Sequence, residues 1–248
     1  MIPNSAKTVL VTGGSRGIGR ATARLFADNG WRVLTLSSKP LLADAYQSSQ
    51  GLLQHISVDL ANGAAIKACL SEIIRRLPDG RLHALVNNAG VSPKLAGGMR
   101  MGVMECDLQT WRRVFNINFF SVVQLVRGLG ASLSSAGGVV VNVASIAGNT
   151  VHPFAGASYG TSKAALLALT REMAHDLGLR GVRVNAVSPG EIDTDILSPG
   201  TTAIVNRKIP LRRLGTPEEV ASVIYFLCSD ASSYLNGAEI HIDGGQHV

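Results

Sequence analysis

Cysteine is scarce in this sequence. Three among 248 residues (Cys69, Cys106, Cys228) are an odd, widely separated set without a CxxC or Cys/His grouping, which argues against both a disulfide framework and zinc. Small buried hydrophobes is the role left to them. The six histidines (His55, His83, His152, His175, His241, His247) are equally dispersed and lack metal-ligand spacing, so no metal is expected. Charge is thin as well, with only 16% Asp, Glu, Lys and Arg. The basic excess comes as pairs such as Arg75-Arg76, Arg112-Arg113 and Arg212-Arg213, never as a block of five or six, which excludes the usual nucleic-acid footprint. A net charge of +6 suits an anionic small molecule or an acidic partner instead. The N-terminus, Met1 to Lys7, leads into only a few apolar residues before Gly13, too short for a signal core or a membrane span. A cytoplasmic protein without a membrane segment is the expectation. Repeats, low-complexity tracts and linkers are missing too.

What is present is apolar. A hydrophobic fraction of 46% and a mean hydropathy of +0.22 supply a large core, and 248 residues fit a single α/β domain. Lys7 to Thr12 is a short β-branched run ended by glycines, and Ile18 to Asn29 reads as a helix with Gly30 past its end. Further strand-like runs follow at Arg32–Leu36, Leu52–Val58, Leu82–Val86, Val139–Val143, Val182–Val187 and Glu239–Ile242, spaced so that a helix fits between most of them. Strands nearly continuous in Val, Ile and Leu, alternating with helices, predict a doubly wound parallel sheet in a three-layer α/β sandwich. Two helices, Trp111–Leu129 and Ser162–Leu179, are apolar almost all round. One face covers the sheet and the other calls for a partner, so a homodimer or homotetramer is expected.

Chemistry enters at Thr12-Gly13-Gly14-Ser15-Arg16-Gly17-Ile18-Gly19, where the first strand meets the first helix. Glycines there let the backbone approach a pyrophosphate, and helix N–H groups bind it. The spacing is GxxxGxG rather than GxGxxG. With Asp59-Leu60, Asn87-Asn88-Ala89-Gly90, Ser145, the Tyr159 to Lys163 stretch and Pro189-Gly190, in that order, this turn resembles the short-chain dehydrogenase/reductase family from about Lys7 to Ile242-Asp243-Gly244-Gly245. The resemblance implies a Rossmann fold and a nicotinamide cofactor. It places Gly13, Ser15, Arg16, Gly17, Ile18 and Gly19 against that cofactor. It further implies that Asp59, with Leu60, receives the adenine amino group, that Asn88, Ala89 and Gly90 line the pocket, and that Ile192 and Thr194, after Pro189-Gly190, hold the carboxamide. The residue after Gly190 departs from the pattern, being Glu191 where many relatives carry an aromatic.

Cofactor selection turns on the end of the second strand, where an acid would bond the ribose 2′-OH of NAD and repel the phosphate of NADP. Leu36-Ser37-Ser38-Lys39 offers no acid, while Arg16 and Lys39 carry positive charge, so NADP(H) is expected over NAD(H). For catalysis, the resemblance implies Ser145, Tyr159, Lys163 and Asn118, with Asn116 as a decoy. Tyr159 and Lys163 stand four apart, on one helix face. A free tyrosine titrates near ~10, and a neighbouring ammonium is expected to lower it. Both residues also touch the cofactor in the family. Reduction then has Tyr159 protonate a carbonyl oxygen that Ser145 holds, and Asn118 retains a water that relays protons to Lys163.

Two rival readings have residues behind them. Gly156-Ala157-Ser158-Tyr159-Gly160 satisfies the GxSxG of a serine hydrolase, but that elbow must follow a strand and Val151-His152-Pro153-Phe154 is not one. A non-catalytic dinucleotide-binding regulator has no use for the full catalytic set. The substrate is expected to be a small carbonyl or alcohol, free or bound to acyl-carrier protein. Members of similar pattern are 3-oxoacyl-[acyl-carrier-protein] reductases. Arg180 fits a carrier-docking position, whereas Ala136-Gly137 replaces the other basic one, and a small carbonyl, sugar or polyol is the alternative. His152 is a loop histidine and a candidate for substrate contact. The segments Ser92 to Met104, with its three methionines, and Leu197 to Arg213 name no substrate by their chemistry.

Overall fold

The computed structural model describes residues 6–39, 52–195, 197–198 and 200–248. Among the described residues, seven strands form one sheet: β1 (Thr8–Thr12), β2 (Arg32–Ser37), β3 (Leu53–Ser57), β4 (Ala84–Asn87), β5 (Val139–Val143), β6 (Arg183–Pro189) and β7 (Glu239–Ile242). Every pairing is parallel and the order is β3-β2-β1-β4-β5-β6-β7. The helices are α1 (Gly17–Asp28), α2 (Gly63–Arg75), α3 (Leu108–Phe115), α4 (Ser121–Ala136), α5 (Ala157–Gly178), α6 (Thr201–Lys208) and α7 (Pro217–Leu227). This is the doubly wound Rossmann sandwich. The chain winds outward from β1 through β2 and β3, then returns to the far side of β1 as β4, so a crevice opens above the carboxyl ends of β1 and β4.

Side-chain alternation along each strand feeds two cores. Val9, Val11, Val33, Val86 and Val141 point to the layer of α1 and α7, where they meet Phe26, Val220 and Ile224. Leu10, Leu34, Leu85 and Val140 point to the opposite layer, against Ile66 of α2, Leu125 and Leu129 of α4 and Leu166 of α5. A parallel sheet covered on both faces needs apolar residues at both phases, which is why these strands are runs of Val and Leu.

Two helix boundaries differ from the sequence expectation. α5 starts at Ala157, five residues before Ser162, because its first turn is built of small and polar residues without apolar periodicity. Thr161 Oγ1 donates to the Ala157 carbonyl at 2.8 Å and Ser162 Oγ to that of Tyr159 at 2.7 Å. The expected helix Trp111–Leu129 is three pieces. α3 is capped by Asp107, whose carboxylate accepts from Thr110 N at 2.7 Å. A π-helical turn follows at Asn116–Phe120, and α4 then runs to Gly137, left-handed at φ 58°. By length and composition the stretch Leu108–Ala136 would cross a membrane, but Val122, Leu125, Val126, Leu129 and Leu133 are buried in the layer against the sheet.

Candidate active site

A cavity of about 370 Å³ runs across the carboxyl ends of β1, β2, β4, β5 and β6. At one end lies the β1–α1 turn. Gly13 and Gly17 have φ of 69° and 50°, and a Cβ on Gly19 would stand 2.2 Å from the Gly13 carbonyl oxygen, so the turn closes only with glycine. The N-cap of α1, Arg16, makes no side-chain capping bond, and the first turn carries no acid. The opening N–H groups of α1 therefore face the cavity without a side-chain acceptor, the condition in which a helix N-terminus takes up a phosphate. Thr12 Oγ1 accepts from both Asn88 N and Ala89 N at 3.0 Å, and Asn88 Nδ2 donates to Thr12 O at 2.9 Å and Gly13 O at 3.2 Å. Asn88 thus ties the glycine turn to β4 with its side chain, besides lining the cavity.

Ser15, Arg16, Gly17, Ile18, Ser37, Ser38, Lys39, Asp59, Leu60, Ala89 and Gly90 line the same end. Gly19 stands behind it, in the packing of the turn. Ser37 Oγ donates to Lys39 O at 2.7 Å, Asp59 Oδ1 accepts from Ala61 N at 2.9 Å, and Arg16 lies 3.5 Å from the exposed carboxylate of Asp195. An uncapped helix start, a glycine turn and an elongated cleft fit a dinucleotide.

At the other end, β5 delivers Ser145, whose Oγ accepts from Ala147 N at 3.2 Å, and α5 delivers Tyr159 and Lys163 one turn apart. Lys163 is buried at 3% exposure, with Nζ donating to the Val143 carbonyl at 2.6 Å and lying 5.6 Å from the Tyr159 ring centre. Burial pulls its ammonium down to about 8. The sequence expectation that Lys163 lowers the tyrosine meets a correction. Tyr159 opens onto the cavity, yet protein surrounds its hydroxyl closely enough that loss of water raises it. The Ser145 hydroxyl opposes this and the Glu191 charge adds to it. Lys163 Nζ donates to the Val143 carbonyl rather than to the phenol.

Asn118, from the π-helical turn, is 1% exposed. Its Oδ1 accepts from Val91 N at 2.9 Å, while Nδ2 donates to Val91 O at 3.1 Å and Ser162 Oγ at 3.0 Å. A Cβ on Gly90 would lie 3.4 Å from Lys163 Nζ and 3.6 Å from Asn118 Oδ1, so glycine there preserves the space where the two converge. Asn116 points elsewhere, donating to Ala61 O at 3.2 Å. Pro189, Gly190, Ile192 and Thr194 close the wall, with Ile192 bridged to Gly215.

Ser158 does not form a hydrolase elbow. It is 1% exposed, lies in the first turn of α5 after a loop rather than a strand, and accepts from Cys106 Sγ at 3.5 Å. The two segments that name no substrate by their chemistry nevertheless contribute to the cavity. Lys94, from the loop after β4, donates through Nζ to Ser198 Oγ at 2.5 Å, and both line the cavity beside Glu191 and His152. Pro199, in the second of those segments, lies outside the described residues. A lysine placed seven residues after the carboxyl end of a central strand was the available signal; its partner is 104 residues away and was not.

The comparisons agree with this geometry. A family model described as "Enoyl-(Acyl carrier protein) reductase" matches residues 13–247. The chain is 52% identical over 242 residues to Protein FixR of Bradyrhizobium diazoefficiens, covering 98% of this chain and 87% of that one. It is 36% identical to the 3-oxoacyl-[acyl-carrier-protein] reductase FabG of Aquifex aeolicus, with 96% of each chain covered. An oxidoreductase of the short-chain dehydrogenase/reductase family from Brucella ovis, solved with a partially ordered NAD, superposes with a TM-score of 0.81 at 50% identity, covering 96% of this chain and 100% of that one. With a Rossmann sheet, a dinucleotide-shaped cleft and these relatives over nearly its whole length, the chain belongs to the short-chain dehydrogenase/reductase family of oxidoreductases.

Proposed function

We propose that the chain, one NAD(P)-binding domain over residues 1–248, interconverts a small carbonyl and a secondary alcohol with NADP(H), using Ser145, Tyr159, Lys163 and Asn118. The nicotinamide, when bound, supplies or accepts the hydride. In reduction the substrate carbon gains that hydride and its oxygen gains the Tyr159 proton, which solvent replaces; oxidation is the reverse. Ser145 Oγ donates to the same oxygen and fixes it. Burial of Tyr159 keeps its proton in place before substrate arrives, which favours the donor role. Lys163 and Asn118, converging beside Gly90, mark the route by which the proton is replaced.

The observation that carries the NADP(H) reading is the end of β2, where Ser37, Ser38 and Lys39 line the cavity and, among the described residues, the strand end presents no carboxylate to a ribose 2′-OH. Titration of nicotinamide fluorescence is expected to give a Kd for NADPH at least ~10-fold below that for NADH. Equal or tighter NADH binding would defeat it.

A second reading, reduction of 3-oxoacyl groups on acyl-carrier protein, is favoured by the FabG similarity and the net charge of +6. Its docking residue is poorly placed. Arg180 lies before β6 begins at Arg183, whereas the cavity is at Pro189, so a strand of about 20 Å separates them within one chain. We propose further that the protein works in the cytoplasm as a homodimer or homotetramer, supported by the exposed apolar Leu108 and Phe120 on the α3–α4 surface.

A further inference from the structure

The substrate end of the cavity holds a charge that an acyl chain has no use for. Glu191 is only 8% exposed, at the place where the chain leaves β6, and lines the cavity with Tyr159. Its Oε1 lies 2.6 Å from His152 Nε2. The other ring nitrogen, Nδ1, accepts from Phe154 N at 3.2 Å and Ala155 N at 3.3 Å. An acceptor nitrogen carries no proton, so this histidine is the neutral Nε2–H tautomer, and its one N–H is committed to the carboxylate. Glu191 is therefore oriented by His152 but not neutralised by it. Tyr159 and Lys94 line the same cavity, so the carboxylate shares a compartment with the reacting position.

A buried carboxylate with one side-chain donor among the described residues has oxygen lone pairs left to satisfy, and covering it with hydrocarbon is strongly unfavourable. We propose that Glu191, oriented by His152, is the specificity-determining residue of this cavity and reads a hydrogen-bond donor, a hydroxyl or an ammonium, carried by a small substrate close to its reacting carbonyl. The substrate class is then hydroxy- or amino-ketones and the corresponding diols or amino alcohols, not plain ketones or 3-oxoacyl thioesters. Lys94, held at Ser198, adds a positive group to the same compartment. This inference rests on the carbonyl-reducing reading of the site.

The test uses three ketones of equal size that differ in one group: hydroxyacetone, aminoacetone and butan-2-one. A 3-oxobutanoyl thioester of N-acetylcysteamine serves as the acyl arm. With NADPH and NADH each supplied, the wild-type protein is expected to show kcat/KM for at least one donor-bearing ketone about 100-fold above butan-2-one and the thioester, because a site built for a donor rejects the analogue lacking it. Glu191→Leu is expected to collapse that ratio below about 10-fold, partly by raising turnover of butan-2-one. Glu191→Gln keeps an acceptor for His152 and guards against mere misfolding. It separates the two donors, losing aminoacetone about 100-fold while holding hydroxyacetone within about 10-fold if the ammonium is read, and weakening both little more than 10-fold if the hydroxyl is. A wild type that reduces butan-2-one or the thioester within 10-fold of the best donor-bearing ketone overturns the inference, as does a ratio unmoved by both variants. If no ketone is reduced, the oxidoreductase reading of the site is what fails. Saturation-transfer NMR with the same three ketones then decides: binding that favours the donor-bearing pair and is lost in Glu191→Leu supports the role of Glu191, and equal binding of all three refutes it.

Discussion

The two ends of the cavity are made of different material. The end at β1, β2 and β4 is largely backbone: glycines without Cβ atoms, helix N–H groups left open, and an asparagine and a threonine that stitch two turns together. The end at β5, α5 and the segment after β6 is built of buried and half-buried ionisable side chains: Lys163 and Glu191, with Tyr159 and His152. Backbone recognises a phosphate by shape and dipole and is insensitive to protonation; buried side chains are held in particular protonation states, and their burial costs stability. If this division is right, substitutions at the first end should act on cofactor affinity and folding, and those at the second on turnover, with folding unharmed or improved.

Tyr159→Phe gives the largest expected effect. It removes the group proposed to transfer its proton to the substrate oxygen without disturbing the glycine turn, so kcat should fall about 10³-fold or more while the Kd for NADPH stays within about 3-fold. Stopped-flow turnover and fluorescence titration on the same preparation check it, and comparable losses in both would erase the distinction between the two ends. Gly19→Ala is the counterpart at the first end. Its Cβ would lie 2.2 Å from Gly13 O and 2.4 Å from Asn88 Nδ2. The nearer of these is backbone and cannot rotate away, so the turn must open at a cost of about 3 kcal/mol, lowering Tm by roughly 6–12 °C and weakening the cofactor. An unchanged Tm would show the turn to be softer than its contacts indicate.

How much of each end was legible in the sequence follows from the same contrast. The first end is local: Gly13 to Gly19 spans seven residues, and their meaning needs only a strand before and a helix after. Ser145, Tyr159, Lys163 and Asn118 were named from order and spacing; the first three line one cavity, and Asn118 lies behind its wall, beside Gly90. The direction in which Lys163 points was not legible, because the choice between Val143 O and the Tyr159 hydroxyl is made by packing between α5 and β5. Glu191 stood out as a departure and His152 as an unassigned loop histidine, but they lie 39 residues apart and only the return of β6 beside β5 joins them. Lys94 and Ser198 were hidden for the same reason. The late start assigned to α5 has another origin, since its first turn is held by Thr161 and Ser162 bonding back to carbonyls and has no apolar period to read.

A smaller effect is expected where charge, not backbone, enters the first end. Ser37→Asp puts a carboxylate at the carboxyl end of β2, facing the cavity. It should repel a 2′-phosphate and accept a bond from a 2′-OH, moving the NADPH to NADH affinity ratio by about 10- to 100-fold toward NADH. A ratio that does not move would locate selectivity in Arg16 or Lys39 instead.

The smallest effect is also the sharpest test, because its sign runs against habit. Lys163 titrates at about 8 in the folded chain, against ~10.4 when unfolded. Below pH 8 both states carry the charge, and the folded state bears the full cost of burying it, about 3 kcal/mol. Between pH 8 and about 10.4 the unfolded chain binds more protons than the folded one, so stability rises with pH across that window and the cost disappears above it. Lys163→Met removes the charge and also the bond to Val143 O, whose loss costs about 1–2 kcal/mol. The variant should therefore lack turnover yet be more stable than wild type by about 1–2 kcal/mol at pH 7, a Tm gain of roughly 2–8 °C that vanishes by about pH 10. A variant less stable at pH 7 would mean that Lys163 is held as a structural bond donor. A variant more stable at pH 7 and no better at pH 10 would mean that the second end keeps a charge the fold alone would discard.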